Sequence, residues 1–497
     1  MDNLSDILLA IFLTTLSTWY VKFLWSRRHL YLHAWNVPGP LAFPIVGSAY
    51  KALRSNAGLI EVFNEFYEYP GIIKVWFSTK LWYVVFEPKY LEKVFTSPDL
   101  LEKPHDYKRL TDIIGDTIFT PSVKKSKRYR RAVAPIFYKN AIDSYVKGFA
   151  ESSADFAKVL RSLAGRKDLD VEMLCLRYTL DTTCKSIFGF GVPVSGSEAG
   201  EHDYGYCLRK VAEISTYRFV RIWFNVKLIY NMSRTKQEID KWNNLIHAHI
   251  LSMISTARRL QEIQTNSEDS KNGNSKYESD FFKSFIRGSE YTEEEIVDTI
   301  KSLFSAGVDT AASVLCSTLM MLALHPDAQQ KVYEEVMEVV GHRQIEHTDL
   351  QHFRYTEMAI KESMRLFPPT IIFARDSTGA VNLGEYVLPK DGAVVIFPLV
   401  IHRNPTVWND PLKFDPDRFL PDEMAQRSPY AFVPFSHGVR NCIGWQHAMW
   451  NLKTAIAGII REVKVFTGYQ SVEDIKLNCE LVLTYTHGSK LWFEPRE

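Results

Sequence analysis

The stretch Phe435-Ser436-His437-Gly438-Val439-Arg440-Asn441-Cys442-Ile443-Gly444 decides how this chain is read. Two glycines bracket Cys442, and the pattern from Trp445 to Ile460 predicts a helix directly after it. Glycine permits tight turns and close backbone approach. A helix that begins just past a cysteine favours negative charge at its N-terminus, and thiols at such positions have depressed pKa values. Cys-x-Gly alone reads as a buried cysteine in a loop. Phe435, Gly438, Arg440, Cys442 and Gly444 at these spacings read instead as a thiolate ligand site: an exposed sulfur, backbone N–H groups to hold its charge, and no bulky side chain in front of it.

The rest of the chain sets the frame for that loop. Its 497 residues are 46% hydrophobic, enough for a large core, and the formal net charge of +1 points to no nucleic-acid partner. The other cysteines, Cys175, Cys184, Cys207, Cys316 and Cys479, make no CxxC pair with each other or with Cys442. A disulfide framework and a structural zinc site are therefore not expected, and these five read as small buried hydrophobes in a reducing compartment.

Residues 7–21 are apolar or hydroxylic, Lys22 interrupts, and Phe23-Leu24-Trp25 precede Ser26-Arg27-Arg28-His29. That run just reaches the roughly 20 residues a membrane helix needs if Lys22 snorkels. A cleaved signal peptide would carry its basic residues first. Here Asp2 and Asp6 come first and the basic cluster follows, so an uncleaved anchor with the remainder on the cytosolic side is expected. The prolines of Val37-Pro38-Gly39-Pro40-Leu41-Ala42-Phe43-Pro44-Ile45-Val46-Gly47 read as a stiff, non-helical hinge.

Beyond it, residues 72–77 and 81–86 read as a hairpin turning at Ser78-Thr79-Lys80. Residues 88–261 read as mostly helical, and the polar run 264–278 as a surface loop. Thr292 and Glu295 form a capping box that opens a long helix, which stops at His325-Pro326. Helices continue to Phe367, where Pro368-Pro369 ends them, and short strands are expected around Tyr386 and at 393–396.

The cysteine loop resembles the haem-binding signature of the cytochrome P450 family, with all its defining positions matched. The resemblance implies a mainly α fold with a minor β region: a single large haem domain (48–497) behind an anchor (1–25) and a basic, proline-rich hinge (26–47). Cys442 would be the axial ligand of haem b, with Phe435, Gly438 and Gly444 shaping its loop and Arg440 on a propionate. Within the long helix, Ala306-Gly307-Val308-Asp309-Thr310 would let dioxygen approach the backbone, with Asp309 and Thr310 delivering protons. By itself that segment reads as a small-residue helix crossing; beside Cys442 the functional reading is preferred. Glu362 and Arg365, three apart on one helix face, would lock with Arg418 as a structural network.

Aligning Pro135 and Phe137 with the family puts Ser126 where a tryptophan is usual and Arg130 on the propionate-binding arginine; Arg375 is a further propionate candidate. Lys124, Lys125, Lys127, Arg128 and Arg131 are either a solvated face or a docking patch for an acidic electron donor.

The chain looks most like insect, microsomal members of the fatty-acid ω-hydroxylase clan. It lacks that clan's frequent glutamate at Ala306, so covalent haem attachment by that route is not expected, and Ala311 replaces a frequent threonine. The implied function is insertion of one oxygen atom of O2 into a small apolar substrate. The electrons would come from NADPH through a flavoprotein reductase, with cytochrome b5 as a further partner, at the endoplasmic reticulum membrane. Two alternatives stay open: a haem-thiolate isomerase that needs no O2, and a haem-binding protein without turnover.

Overall fold

The computed structural model describes residues 2–496 apart from 44–45, 49, 51–61, 121, 139–140, 193, 195–202, 267–284 and 286–289. Most of the polar run 264–278 thus lies outside the described residues; 264–266 end the helix Arg234–Asn266.

The first helix, Asp2–Ser26, stands outside the body, with most of its described apolar side chains exposed and Tyr20, Phe23 and Leu24 half-buried near its end. From Ser5 to Ser26 it is long and apolar enough to cross a membrane. Its threonine hydroxyls are satisfied internally: Thr14, Thr15 and Thr18 donate to the carbonyls of Ala10, Ile11 and Thr14 at 2.7, 2.7 and 2.8 Å. That removes the penalty such groups would carry in hydrocarbon. The expected hinge departs from the sequence reading in one respect. A second short helix, Arg28–Ala34, forms before the prolines and buries Leu30 and Ala34. Neither residue before it restricts φ, and its two apolar positions four apart find a packing face.

The hairpin pairs Ile72–Phe77 with Lys80–Val85, antiparallel from Ile72↔Val85 to Phe77↔Lys80. The turn is therefore Ser78-Thr79 alone; Lys80, expected in the turn, is the first strand residue. Ser78 takes φ 55°, the positive value a two-residue hairpin needs at its first central position. Two distant strands extend this sheet: Ala393–Ile396 pairs parallel with the second hairpin strand, and Phe373–Asp376 pairs antiparallel with Ala393–Ile396.

Helices make up the body. The long helix Glu293–Leu324 carries the capping box read from Thr292 and Glu295. It is as apolar as a membrane span, yet its most apolar window is 83% buried, which marks it as the core axis. Around it pack Glu172–Phe188, Tyr204–Val220, Arg354–Leu366 and the helix after the cysteine loop, Trp445–Glu462. One cluster of buried hydrophobics runs through nearly all these elements. The mainly α architecture with a small β region agrees with the expectation.

Candidate functional site

A cavity of about 510 Å3 lies between the long helix and the cysteine loop. Its wall on the long-helix side includes Ala306, Gly307, Thr310 and Ala311. Residues at this spacing share one helix face. A Cβ added at Gly307 would meet only Thr183 Oγ1, at 4.0 Å, so this wall is open to a ligand. Thr310 Oγ1 donates to the Ala306 carbonyl at 2.5 Å. Asp309 does not share that face. Its carboxylate is buried against the neighbouring helix, 3.4 Å from Arg209 Nη1, and burial raises its pKa while Arg209 lowers it. The sequence reading placed Asp309 beside Thr310 as a relay; in space it lies behind the wall, held by an arginine that also pairs with Glu172.

Cys442 lines the same cavity, together with Phe435, Arg440 and Gly444. Its amide donates to the Phe435 carbonyl at 2.8 Å, which folds the loop back on itself. Cys442 is exposed on the cavity wall, with protein packed around it. Burial therefore raises the thiol pKa, against the opposing Gly444 amide and Arg130 charge. The helix terminus and Arg130 thus act against desolvation on this thiol, and direct coordination to a cation would deprotonate it outright. Gly438 does not line the cavity. It has φ 73°, and a Cβ there would lie 2.7 Å from the Phe95 carbonyl oxygen. At Gly444 the close neighbour is Phe137 Cε1 at 3.2 Å. Both glycines thus serve the packing of the loop more than clearance in front of the sulfur.

Cations gather at one end of the cavity. Arg130, Arg375 and Arg440 all line it, as does Lys103, which the sequence reading missed. Arg130 Nη1 donates to the Asn441 carbonyl at 2.8 Å and Arg440 Nη2 to the Thr120 carbonyl at 3.0 Å. Arg440 Nη1 is buried without a hydrogen-bond partner among the described residues. Burial, then the charges of Arg375, Arg440 and Arg130, pushes the Lys103 ammonium well below its usual range. Burial and Arg375 push Arg440 down to about 10. Four cations crowded with an orphaned guanidinium nitrogen are unfavourable unless an anion completes them. The two propionates of haem fit this end, and the thiol and the small-residue helix fit its two faces. Ser126, in the usual tryptophan position, is buried and spends its hydroxyl on the Ile118 carbonyl at 2.9 Å, so it contributes nothing to the cavity.

The Glu362–Arg365 pair lies outside the cavity, with both side chains at 0% exposure. Arg365 satisfies all its N–H groups: Nε and Nη2 reach Glu362 at 2.7 and 2.8 Å, Nη1 the His402 and Pro411 carbonyls at 2.8 and 2.7 Å, and Nη2 also the Lys413 carbonyl at 3.1 Å. Glu362 also accepts the Asp415 amide at 2.9 Å, and Arg418 Nε lies 3.5 Å from it. The network continues toward the ligand loop. Burial, then Arg365, holds His402 neutral, with its pKa pushed down to about 3, and its Nε2 accepts the Val433 amide at 2.9 Å. Val433 in turn accepts the Ser436 amide at 3.0 Å, at the entry to the cysteine loop.

Comparisons with known proteins agree with this geometry. The family model described as Cytochrome P450 matches residues 37–491. Among insect relatives, Cytochrome P450 4g15 of Drosophila melanogaster is 25% identical, covering 99% of this chain and 97% of its own length. Cytochrome P450 4c3 of the same species is 28% identical over 95% and 91%. Cytochrome P450 4c21 of Blattella germanica is 26% identical over 93% of each. In structure, the haem domain of a cytochrome P450DA mutant superposes with a TM-score of 0.77 at 20% identity, covering 93% of this chain and 98% of that one; this likeness speaks for the fold alone.

Proposed function

This chain belongs to the cytochrome P450 family of haem-thiolate monooxygenases, and from that premise we propose that it inserts one oxygen atom of O2 into a small apolar substrate with electrons from NADPH. The observation that carries the proposal is that Cys442 and the Ala306-Gly307-Thr310 face line one cavity. Haem, when bound, supplies the iron at which dioxygen is activated. Cys442 Sγ would be its axial ligand, and Arg130, Arg375, Arg440 and Lys103 would hold its carboxylates. Ala306 and Gly307 keep the opposite wall thin. Thr310 Oγ1 would exchange its bond to the Ala306 carbonyl for one into the cavity. Asp309 would reload it with a proton once Arg209 lets it turn. Glu362, Arg365 and Arg418 are assigned to the stability of the ligand loop, not to chemistry.

Reconstitution with a flavoprotein reductase and NADPH tests this reading. O2 uptake in proportion to a turned-over substrate is expected. Substrate conversion without O2 would favour an isomerase, and haem binding with no turnover would favour a carrier. Thr310→Ala should lower product formed per NADPH by about tenfold or more, since a positioned proton donor contributes roughly 10²–10⁴-fold. Unchanged coupling removes Thr310 from this role.

The electron donor is assigned to the face outside Cys442. Lys124, Lys127 and Arg131 are exposed there without ion pairs among the described residues, whereas Lys125 and Arg128 are held by Asp116 and Glu295. Val439 and Trp445, three residues to either side of Cys442, are 57% and 44% exposed. An apolar centre with a basic rim suits an acidic flavoprotein reductase, with cytochrome b5 as a second candidate. Reversing both Lys127 and Arg131 to glutamate should slow reductase association about tenfold at low salt and much less at high salt, with haem binding intact. A salt-independent rate would contradict the assignment.

Residues 1–25 are assigned to a membrane anchor, 26–47 to a hinge that includes the short helix, and 48–497 to the haem domain, facing the cytosol at the endoplasmic reticulum. Supporting this, Arg27 at the anchor's end donates to the Thr79 carbonyl at the hairpin tip. Phe77 beside that tip stacks on Phe219 at 5.9 Å, and the exposed Trp223, Leu228 and Met232 follow Phe219 in the chain.

A further inference from the structure

The cavity is mostly apolar, lined by rings such as Phe63, Phe66, Phe77, Trp82, Phe119 and Phe219. Among the described residues that line it, only Asp106 and Glu480 carry carboxylates. Asp106 is committed: Lys80 pairs with it, and Arg109 Nη2 lies 2.8 Å from its Oδ1. Glu480 is not. It is half-buried in the turn between the strands Leu477–Cys479 and Leu483–Tyr485. Among the described residues, none hydrogen-bonds or ion-pairs with its side chain. The cations whose fields reach it are engaged elsewhere, Arg209 with Glu172 and Asp309, Lys210 with Glu213 at 2.9 Å.

The turn is also fixed in place. Leu483 donates its amide to the Pro369 carbonyl at 2.9 Å, and Ser313 of the long helix donates to the Leu483 carbonyl at 3.1 Å. Ser313 is three residues beyond Thr310, so Glu480 belongs to the side of the cavity where a substrate meets the long helix. A half-buried carboxylate with no hydrogen-bond or ion-pair partner, which feels the carboxylates Glu213 and Asp309 as well as the engaged cations Arg209 and Lys210, costs free energy that a complementary cationic ligand group recovers. The cavity's own cations do not offset this, because they sit at the far end and face the cofactor's carboxylates in the proposed reading.

We infer that Glu480 selects the polar end of the substrate, so that the cavity takes an apolar molecule bearing a cationic nitrogen and disfavours one bearing a carboxylate. This rests on the cavity being the monooxygenase substrate site, and it separates the chain from a fatty-acid specificity by charge. An ion pair formed in such a partly desolvated wall is stronger than one in water, and a like-charged headgroup meets the same field with opposite sign.

Three ligands with one tail test the inference: decyltrimethylammonium, decanol and decanoate. A quaternary nitrogen has no lone pair and cannot coordinate iron. Binding is read by calorimetry on the haem-loaded protein, below the concentrations at which these ligands aggregate. The ammonium ligand should bind about tenfold more tightly than decanol, and decanoate more weakly than either, tenfold being a modest step in affinity. Glu480→Gln should bring the ammonium ligand level with decanol and strengthen decanoate, while Glu480→Asp keeps the original order. Equal binding of all three to the parent protein overturns the inference, as does a Glu480→Gln variant that weakens all three alike, which would mark a structural role. Since calorimetry needs no spectral signature, a headgroup preference without turnover would count against the monooxygenase reading alone. Turnover without a preference would count against Glu480 alone.

Discussion

Replacing Arg365 by alanine is expected to abolish accumulation of folded, haem-loaded protein. Glu362 would be left with a buried negative charge, and the carbonyls of His402, Pro411 and Lys413 would lose their donor. Breaking a fully buried pair by removing one partner costs about 3–5 kcal/mol, a large part of the roughly 5–15 kcal/mol by which a domain is stable. Lysine should not rescue it, because one ammonium cannot supply a guanidinium's five fixed donors. The damage should reach the cysteine loop through His402 and Val433. Thermal unfolding and haem content check this: an Arg365→Ala protein that keeps both near the parent values would remove the network from the role given to it.

Cys442→Ala should have the opposite profile, a folded protein without turnover. The loop is closed by backbone bonds that do not need the sulfur: the Cys442 amide to the Phe435 carbonyl at 2.8 Å, and the Ser436 amide to the Val433 carbonyl. The cations at the other end of the cavity also remain, so haem should still bind, more weakly. What goes is the thiolate, whose electron donation favours O–O cleavage. Reductase-driven product formation is expected to fall to background while the melting temperature changes little. Turnover by the alanine variant within about tenfold of the parent would show that another residue supplies the ligand.

What the sequence revealed and what it withheld divide along a physical line. Features fixed by neighbours in the chain were legible: the capping box at Thr292 and Glu295, the hairpin, the helix after Gly444, the cysteine loop, and the apolar run of residues 7–25, which forms a helix. Each depends on spacing within a few residues. The pair Glu362–Arg365 was legible as a pair, but the three carbonyls it gathers from 402–413 were not. Lys103 was missed because its partners are Arg130, Arg375 and Arg440, brought together only by the fold. Glu480 and Arg209 were missed for the same reason. Asp309 was different, since its orientation was available. Residues 306, 307, 310 and 311 occupy one helix face and Asp309 falls on the other side of Thr310 from Ala311, so its proposed relay needs a turn of its side chain that adjacency in sequence does not show. The pKa of Cys442 was only partly legible, because a helix terminus acts locally while desolvation is set by the whole cavity. In 26–47, the basic cluster hid a short helix whose stability comes from burying Leu30 and Ala34 in the body.

The proposed function depends on a bond between the sulfur of Cys442 and haem iron. The absorption spectrum of the purified protein, reduced and exposed to carbon monoxide, tests it most directly. The strongly red-shifted band of a thiolate-ligated haem is expected, and it should be lost in Cys442→Ala. A band at the shorter wavelength of nitrogen-ligated haem in the parent protein, or one that survives the substitution, would contradict it.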